Sequence, residues 1–397
     1  MISVEKAHSL ILKNTTVLEP SNTLLVDALG SVVSKTVLSP VNLPLFNQSA
    51  MDGYAFLFSD YKRKKVIKII GKVPAGKTFK GKIVSGQAVR IFTGAPVPSG
   101  LDTVVMQERI TLKGEVLFIM DLDITKGANI RKTGSQIKRG KIALPKCSLI
   151  TPGGVGYLAA MGITKIHTTP HPRITLVVTG SELKKPGKSL VNGEIYESNS
   201  YALVATLKSI GLNVHKVISI PDSRKQTVAV LKRIFIQSDL ILVTGGISVG
   251  EYDFVGSALT ELGVKNIFYK IKQKPGKPLF FGKNNRTIIF GLPGNPAAVL
   301  SCFYEYVYPC INVMRGKKDV FLRKIQLPIT IDYPKKKGLS FFLKGKMSES
   351  SVTPLVRQES YILSSFAVAD CLIYLPEKRE HIKAGELVDV HVLPGLY

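Results

Sequence analysis

The sequence predicts a multidomain α/β plus β protein organised around a central parallel-sheet α/β domain, and three observations predict it. Between Arg173 and Gly316, apolar strand-like runs alternate with segments of helical spacing. Between Val66 and Met120, glycine, valine and short alternating segments dominate, and beyond Phe321 short strands return. At 397 residues the chain has room for two to four domains, on a scale of roughly 100 to 200 residues each. The expected division is a discontinuous helical linker domain over 1–43 and 142–170, an inserted β-rich domain over 44–141, the α/β domain over 171–317 and a small, barrel-like C-terminal β domain over 318–397.

Taken in order, helical pieces are expected at Val4 to Lys13, Leu24 to Lys35 and Gly154 to Met161. Gly71-Lys-Val-Pro-Ala-Gly-Lys-Thr78 matches a phosphate-binding loop letter for letter. That mechanism needs a helix starting at the lysine, whereas Phe79-Lys-Gly81 leads into strand-like residues from Ile83 to Ile91, so the segment reads as β turns. Strands follow at Arg173 to Gly180, Val214 to Ile220 and Asp239 to Gly246, with helices at Asn199 to Ile210, Ser223 to Gln237 and Phe254 to Leu262. Crossovers of this length imply parallel strands with a ligand crevice at their carboxyl ends. Pro278 to Gly282 and Arg286 to Gly291 close the sheet, and a long helix with Asn295 as N-cap and Pro296 in its first turn carries Val299, Leu300, Phe303, Val307, Cys310, Ile311 and Met314 on one face. The chain ends in the alternation Val388-Asp-Val-His-Val392.

Composition narrows the function. A hydrophobic fraction of 45% and a charged fraction of 21% are those of a globular protein, not a disordered or fibrous one. Glu5 and Lys6 interrupt what would be the apolar core of a signal peptide, so a cytoplasmic location is expected. Gly153 to Ile163, among the most apolar stretches, falls short of the ~18 residues a spanning helix needs, so no membrane partner is expected. Cys147, Cys302, Cys310 and Cys371 form no C-x-x-C pair and the six histidines form no metal-binding cluster, which gives zinc, disulfide-exchange and triad chemistry no support. Lysine and arginine exceed the acids by 54 to 28. The excess is dispersed, with short clusters only at Lys62-Arg63-Lys64-Lys65 and Lys335-Lys336-Lys337 and no interleaved aromatics, so it reads as solvated surface, and nucleic acid is not an expected partner.

Several segments are suited to anion chemistry. In Ser49-Ala-Met-Asp-Gly-Tyr54, Gly53 allows a turn that presents Asp52, and Phe92-Thr-Gly-Ala95 places Thr93 at a strand end before a rigid turn. Thr244-Gly-Gly-Ile-Ser-Val-Gly250 follows a buried strand, so the amides of Gly245 and Gly246 and the Ser248 hydroxyl lie where a nest binds phosphate or a pterin edge. Lys270, Lys272, Lys274 and Lys277 surround the rigid loop Lys274-Pro-Gly-Lys-Pro278. Gly291-Leu-Pro-Gly-Asn-Pro296 puts Pro293, Asn295 and Pro296 at a strand-to-helix junction with free backbone donors. Glu182, Asp222 and Asp253 follow three successive strands, and such hard oxygen ligands suit magnesium. Each segment taken alone also fits an ordinary loop, cap or salt bridge.

Together, these motifs in this order resemble the MoeA-type molybdopterin molybdenumtransferase family, which includes the C-terminal domain of gephyrin, over nearly the whole chain. The resemblance implies an α/β domain of the molybdopterin-binding type. It implies a homodimer of four-domain subunits with the active site between the α/β domain of one subunit and the inserted domain of the other. It implies a reaction in which adenylylated molybdopterin and molybdate, with Mg2+, give molybdenum cofactor and AMP. On this reading Glu182, Asp222 and Asp253 hold magnesium or position the leaving phosphate, and Asp52 and Thr93 reach in from the partner subunit. Lys270, Lys274 and Arg131 hold molybdate or phosphate, while Ser248 and the 291–296 turn seat the pterin. A molybdopterin adenylyltransferase and molybdoenzyme apo-proteins or their chaperones are the implied partners.

The chain departs from the family pattern after Asn129-Ile-Arg-Lys-Thr-Gly134, where Ser135 and Gln136 stand in place of Glu-Asp. Ser181 replaces a common aspartate, and Glu197 replaces another while keeping a carboxylate. The competing readings are molybdopterin adenylylation, which ordinarily needs only the α/β domain, and a noncatalytic pterin-binding or scaffolding role, which Gln136 favours.

Overall fold

A computed structural model describes residues 1–220, 223–246 and 254–395. They divide into two compact units, one of Met1–Ser21, Gly30–Ser34 and His167–Tyr397, the other of Asn22–Leu29 and Lys35–Ile166.

The first unit is built on a six-stranded sheet whose strands are β1 (Ile174–Thr179), β2 (Val214–Ile220), β3 (Leu240–Thr244), β4 (Lys265–Tyr269), β5 (Phe280–Asn284) and β6 (Thr287–Leu292), in the order β2-β1-β3-β6-β5-β4. The first four are parallel, as the crossovers require. β6 joins the parallel set beside β3, while β5 runs antiparallel to it in a tight hairpin, because only Asn285 and Arg286 separate the two and a parallel crossover needs a dozen residues or more. β4, a strand the sequence pattern does not announce, runs antiparallel to β5.

Side chains alternate across β1, β3 and β6, so the sheet buries two cores. Leu176, Leu242 and Phe290 face one, with the helix Val4–Asn14 and helix α1 (Asn199–Ser209) contributing Ile11 and Leu203. Val177, Ile241 and Ile289 face the other, with α2 (Arg224–Phe235) and α3 (Phe254–Glu261) contributing Leu231 and Ala258. At ~1.5 to 3 kcal/mol per fully buried large apolar side chain, this packing fixes the sheet's edges, and the loops on them, in place.

The long helix after β6 is interrupted. It runs as α4 (Pro296–Cys302), one π turn (Phe303–Val307) and α5 (Tyr308–Met314). Within that turn Glu305 is buried and pairs with the buried His391 at 2.7 Å, while its carbonyl lies 3.0 Å from His8 Nε2. The π turn therefore ties the N-terminal helix and the C-terminal sheet to the α/β core. That C-terminal sheet runs in the order Gln273–Lys274, Ser340–Met347, Cys371–Leu375, Leu387–Val392 and Arg323–Pro328, with Val352–Pro354 paired to its second strand.

In the second unit a six-stranded sheet is ordered Thr103–Met106, Gly53–Phe56, Gln87–Ile91, Ile67–Val73, Val116–Ile119 and Ile110–Lys113. Gly71 lies inside a strand and Lys77 closes a turn onto the Pro74 carbonyl, with no helix after Thr78, so the phosphate-loop match is indeed β structure. The helix at Pro152–Ala160 is present, capped by the Thr151 hydroxyl. The helix expected over Leu24 to Lys35 is not. The chain instead forms the strand Ser21–Leu24, a short 3-10 turn and the strand Val32–Val33, because Gly30 takes a left-handed φ of 73° and the β-branched pair at 32–33 bonds to Thr168 and Thr169.

Candidate functional site

Each unit presents one cluster of the singled-out residues. In the second unit the segment Asn47–Ala50 acts as a strut between two others. On one side Ser49 N donates to the Ala95 carbonyl and Gly94 N to the Ser49 carbonyl. On the other, Gln48 and Ser49 pair with Arg131 and Ile130, Ala50 N donates to Asn129 O, and Asn47 Oδ1 accepts from Thr133 N. Three motifs far apart in sequence thus become one patch, with Arg131 on its exposed side.

Asp52 lies at its centre. Its Oδ1 accepts from both the amide and the hydroxyl of Thr93, each at 2.7 Å. The Thr93 hydroxyl, the Thr93 amide and the charge of Arg90 together hold this exposed carboxyl below its ordinary 3.8. Gly53 is needed for a reason other than a turn. Its φ is not left-handed; instead a Cβ there would sit 1.9 Å from the Val105 carbonyl oxygen, where the two strands pass at closest approach. Gln136 is exposed, and its amide donates to the Leu43 carbonyl.

In the first unit, registry brings Thr179, Ile220, Thr244 and Leu292 to one edge, the carboxyl ends of β1, β2, β3 and β6. Gly245 and Gly246 follow with φ of 82° and 62°, and a Cβ on them would lie 2.5 Å from Thr179 O and 2.8 Å from Thr179 Oγ1. Only glycine lets the chain turn here against the neighbouring strand. Glu182 is exposed, its carboxylate oxygens 2.9 Å from where a Cβ on Gly180 would stand, so the carboxylate curls over the end of β1. Asp222, Ser248 and Asp253 lie outside the described residues. Among the described residues no three His, Cys, Asp or Glu side chains are placed to hold a metal ion; Glu182 alone of the expected magnesium ligands is described, and its oxygens are of the hard type that magnesium takes.

The lysine loop is rigid for visible reasons. Gly276 has a φ of 82° and leaves no room for a Cβ, which would meet Cys302 Sγ at 2.4 Å. Buried Gln273 donates to the carbonyls of Pro275 and Gly276 and accepts from the Tyr306 hydroxyl in the π turn. Gln273 and Lys274 also pair with Ser340 and Phe341 of the C-terminal sheet. Lys274 is exposed with its ammonium 5.6 Å from the Phe341 ring, and Lys270, at a left-handed φ of 71°, lies 5.0 Å from the Tyr269 ring.

The 291–296 turn differs from expectation. Asn295 holds an extended N-cap backbone but makes no side-chain cap; its Nδ2 donates to Ser360 Oγ at 2.8 Å. The amides of Ala297 and Ala298 are not free, since both donate to the Ser360 carbonyl at 3.0 and 3.2 Å. Asn199 Nδ2 fixes the Gly294 carbonyl at 2.8 Å from the other side. Ser360 and Asn199 went unseen in sequence because hydrogen-bonding partners 65 and 95 residues away leave no periodic trace. Glu197 proves structural: it is buried and accepts from Ser200 N and Oγ at 2.7 and 2.6 Å, capping α1.

These motif clusters lie in a chain that three family descriptions match along its length. Residues 2–162 match "MoeA N-terminal region (domain I and II)", 175–312 match "Probable molybdopterin binding domain" and 326–393 match "MoeA C-terminal region (domain IV)". The chain belongs to the MoeA family. It is 32% identical to a molybdopterin molybdenumtransferase of Haemophilus influenzae, covering 98% of each chain, and 30% identical to molybdopterin molybdenumtransferase 2 of Mycobacterium tuberculosis, covering 98% of this chain and 99% of that one. Its fold is similar to the crystal structure of the molybdopterin biosynthesis MoeA protein from Pyrococcus horikoshii, with a TM-score of 0.84, 26% identity and 100% of both chains covered.

Proposed function

We propose that this MoeA-family chain transfers molybdate onto the dithiolene of adenylylated molybdopterin with release of AMP, the closing step of molybdenum-cofactor assembly. The single observation that carries the reading is the Asp52–Thr93 pair, a carboxylate kept ionised on an exposed patch assembled from three of the family's motifs. Relatives bearing the transferase name match 98% of the chain, which supports the same reading.

In this reading Gly245 and Gly246 present backbone amides to the phosphates at the sheet's carboxyl edge. Lys270, Lys274 and Arg131 act as fixed positive charges for molybdate or phosphate. The two dithiolene thiols bond to molybdenum and their protons leave with a displaced molybdate oxygen as water, while a second water attacks the anhydride joining AMP to the pterin phosphate, so that AMP departs and a free pterin phosphate remains. Glu182 with Asp222 and Asp253 would hold Mg2+, which would supply a hard cation for the phosphate charge. The protein works as a cytoplasmic homodimer in which Asp52 and Thr93 serve the crevice of the partner subunit. An adenylyltransferase delivers its substrate, and molybdoenzyme apo-proteins or their chaperones take its product. Among the described residues no helix is long and apolar enough to cross a membrane.

The test is AMP release from adenylylated molybdopterin by the purified chain, with and without molybdate and magnesium, followed by activation of a cofactor-free molybdoenzyme. Molybdate-dependent release coupled to activation is the expected result. Tight binding without release would favour a pterin carrier, and in that case Gln136→Asp, which restores the acidic residue of the family pattern, is the variant expected to recover turnover.

A further inference from the structure

The amino-terminal edge of the α/β sheet also gathers charged side chains. Arg173, Asp239 and Arg286 immediately precede, or lie one residue before, the first residues of β1, β3 and β6, and the register Ile174–Leu240–Ile288 sets those strand starts side by side. They therefore lie at the amino ends of strands whose carboxyl ends carry Gly180 and Gly245. At ~3.3 Å per residue, strands of this length separate the two edges by roughly 17 to 20 Å.

A cavity of about 1090 Å³ opens at this amino-terminal edge. Its charge is unbalanced. Asp239 is already committed: Arg173 grips it through Nε at 3.1 Å, Nη2 at 2.9 Å and the backbone amide at 2.8 Å. Lys283 donates to the neutral Asn14 carbonyl, which cancels no charge. Lys232 and Arg286 are exposed and make no ion pair or side-chain hydrogen bond among the described residues. Against these four cations stand only Asp239 and Glu19, leaving an excess of two positive charges on the lining. One residue beyond Met314 in the wall, Arg315 is buried and, among the described residues, has no partner at Nε or Nη1, its Nη2 bonding to the Gly30 carbonyl, so the positive field behind the wall is not offset by them either.

The remainder of the lining is apolar. Phe235, Leu262 and Met314 line the cavity together with Ile236, an isoleucine that is 82% exposed. The hairpin of β5 and β6 turns through Asn285, at a left-handed φ of 48°, and so holds Arg286 at the cavity.

We propose that this cavity is a binding site for an organic phosphate monoester of mononucleotide size. A dianionic phosphate matches the two excess charges, with the Arg286 guanidinium and the Lys232 ammonium as its principal contacts. The volume left over, at the upper end of small-molecule sites, takes a planar or apolar body against Phe235 and Ile236. A bare oxyanion would leave that wall wet. The inference does not rest on the transferase reading, since no residue of the carboxyl-edge crevice takes part.

The experiment is calorimetric titration of the full-length chain with AMP, adenosine and inorganic phosphate, comparing the native sequence with Lys232→Ala/Arg286→Ala and with Lys274→Ala. The expected result is one AMP equivalent whose affinity falls at least tenfold in the double variant and persists in Lys274→Ala, with adenosine and phosphate each binding more weakly than AMP. Ile236→Ser, a neutral change at an exposed position, is expected to weaken AMP while leaving phosphate unaffected. Unaltered AMP affinity in the double variant would overturn the site, as would AMP binding abolished by Lys274→Ala alone. Phosphate binding as tightly as AMP would overturn the assigned ligand class.

Discussion

The two clusters proposed to serve the transfer are built by opposite means. At the carboxyl edge of the α/β sheet the chemistry belongs to the backbone: Gly245 and Gly246 are demanded by the closeness of Thr179, and the neighbouring turn is held through main-chain bonds to Ser360. In the second unit it belongs to a side chain, Asp52, whose carboxylate is held in place by two bonds from one threonine. A backbone site tolerates many side-chain changes and few changes at glycine; a side-chain site does the reverse. That difference is testable residue by residue.

The largest effect is expected where chemistry and fold separate most cleanly. Asp52→Ala removes an exposed carboxylate with no packing role, so turnover should fall by about 10² to 10³, the loss typical of a positioned electrostatic group, while the melting temperature falls by only a few degrees, as the two Thr93 bonds are lost. Steady-state assays with calorimetry on the same preparation decide it. Parallel loss of stability would mean that Asp52 is a structural cap and that the comparison is drawn in the wrong place.

Its neighbour should behave in the opposite manner. Gly53→Ala sets a methyl 1.9 Å from the Val105 carbonyl and forces its strand away from the edge strand Thr103–Met106. A cost of about 3 kcal/mol is expected, a fall in Tm of roughly 6 to 12 °C. A variant as stable as the parent would show that these strands can separate freely.

How much of this was legible in the sequence follows the same division. Glycines and apolar alternation advertise themselves, so β1 and β3 were legible from residue types alone, and Gly245, Gly246, Asp52 and Thr93 were singled out from their motifs, with the Asp52–Thr93 pairing visible only in the structure. Arg286, by contrast, lies in a hairpin whose two strands were expected only to close the sheet, because residue types alone do not say which way a closing strand runs. The role of Gly53 was misassigned because steric closeness between strands, unlike a turn, has no local signature. Ser360 was invisible: its contact with Asn295 spans 65 residues and uses a serine indistinguishable from any other.

Thr93→Val sharpens the account of Asp52 by removing the hydroxyl while keeping the amide. Those hydrogen bonds favour the charged form, so the folded carboxyl titrates below its ordinary 3.8; their stabilisation is present above that value and is lost as pH falls through the folded pKa. The variant should shift the Asp52 titration, followed by NMR, upward toward 3.8, and turnover should fall about tenfold, as for one lost hydrogen bond to a charged group. An unmoved titration would assign the depression to the amide and Arg90 alone.

The smallest effect is expected at Ser360, and its smallness is the point. Alanine there keeps the carbonyl that caps Ala297 and Ala298 and deletes only the hydroxyl that receives Asn295 Nδ2, so the cost should be about 0.5 to 1 kcal/mol by denaturant titration. The segment that carries Ser360 is anchored independently, because the buried Lys344 ammonium donates to the carbonyls of Arg357, Glu359 and Ile362 at 2.8, 3.3 and 3.2 Å. If Ser360→Ala instead cost well over 2 kcal/mol, the turn would be held by the serine side chain, and the carboxyl-edge site would owe as much to side chains as the Asp52 patch does.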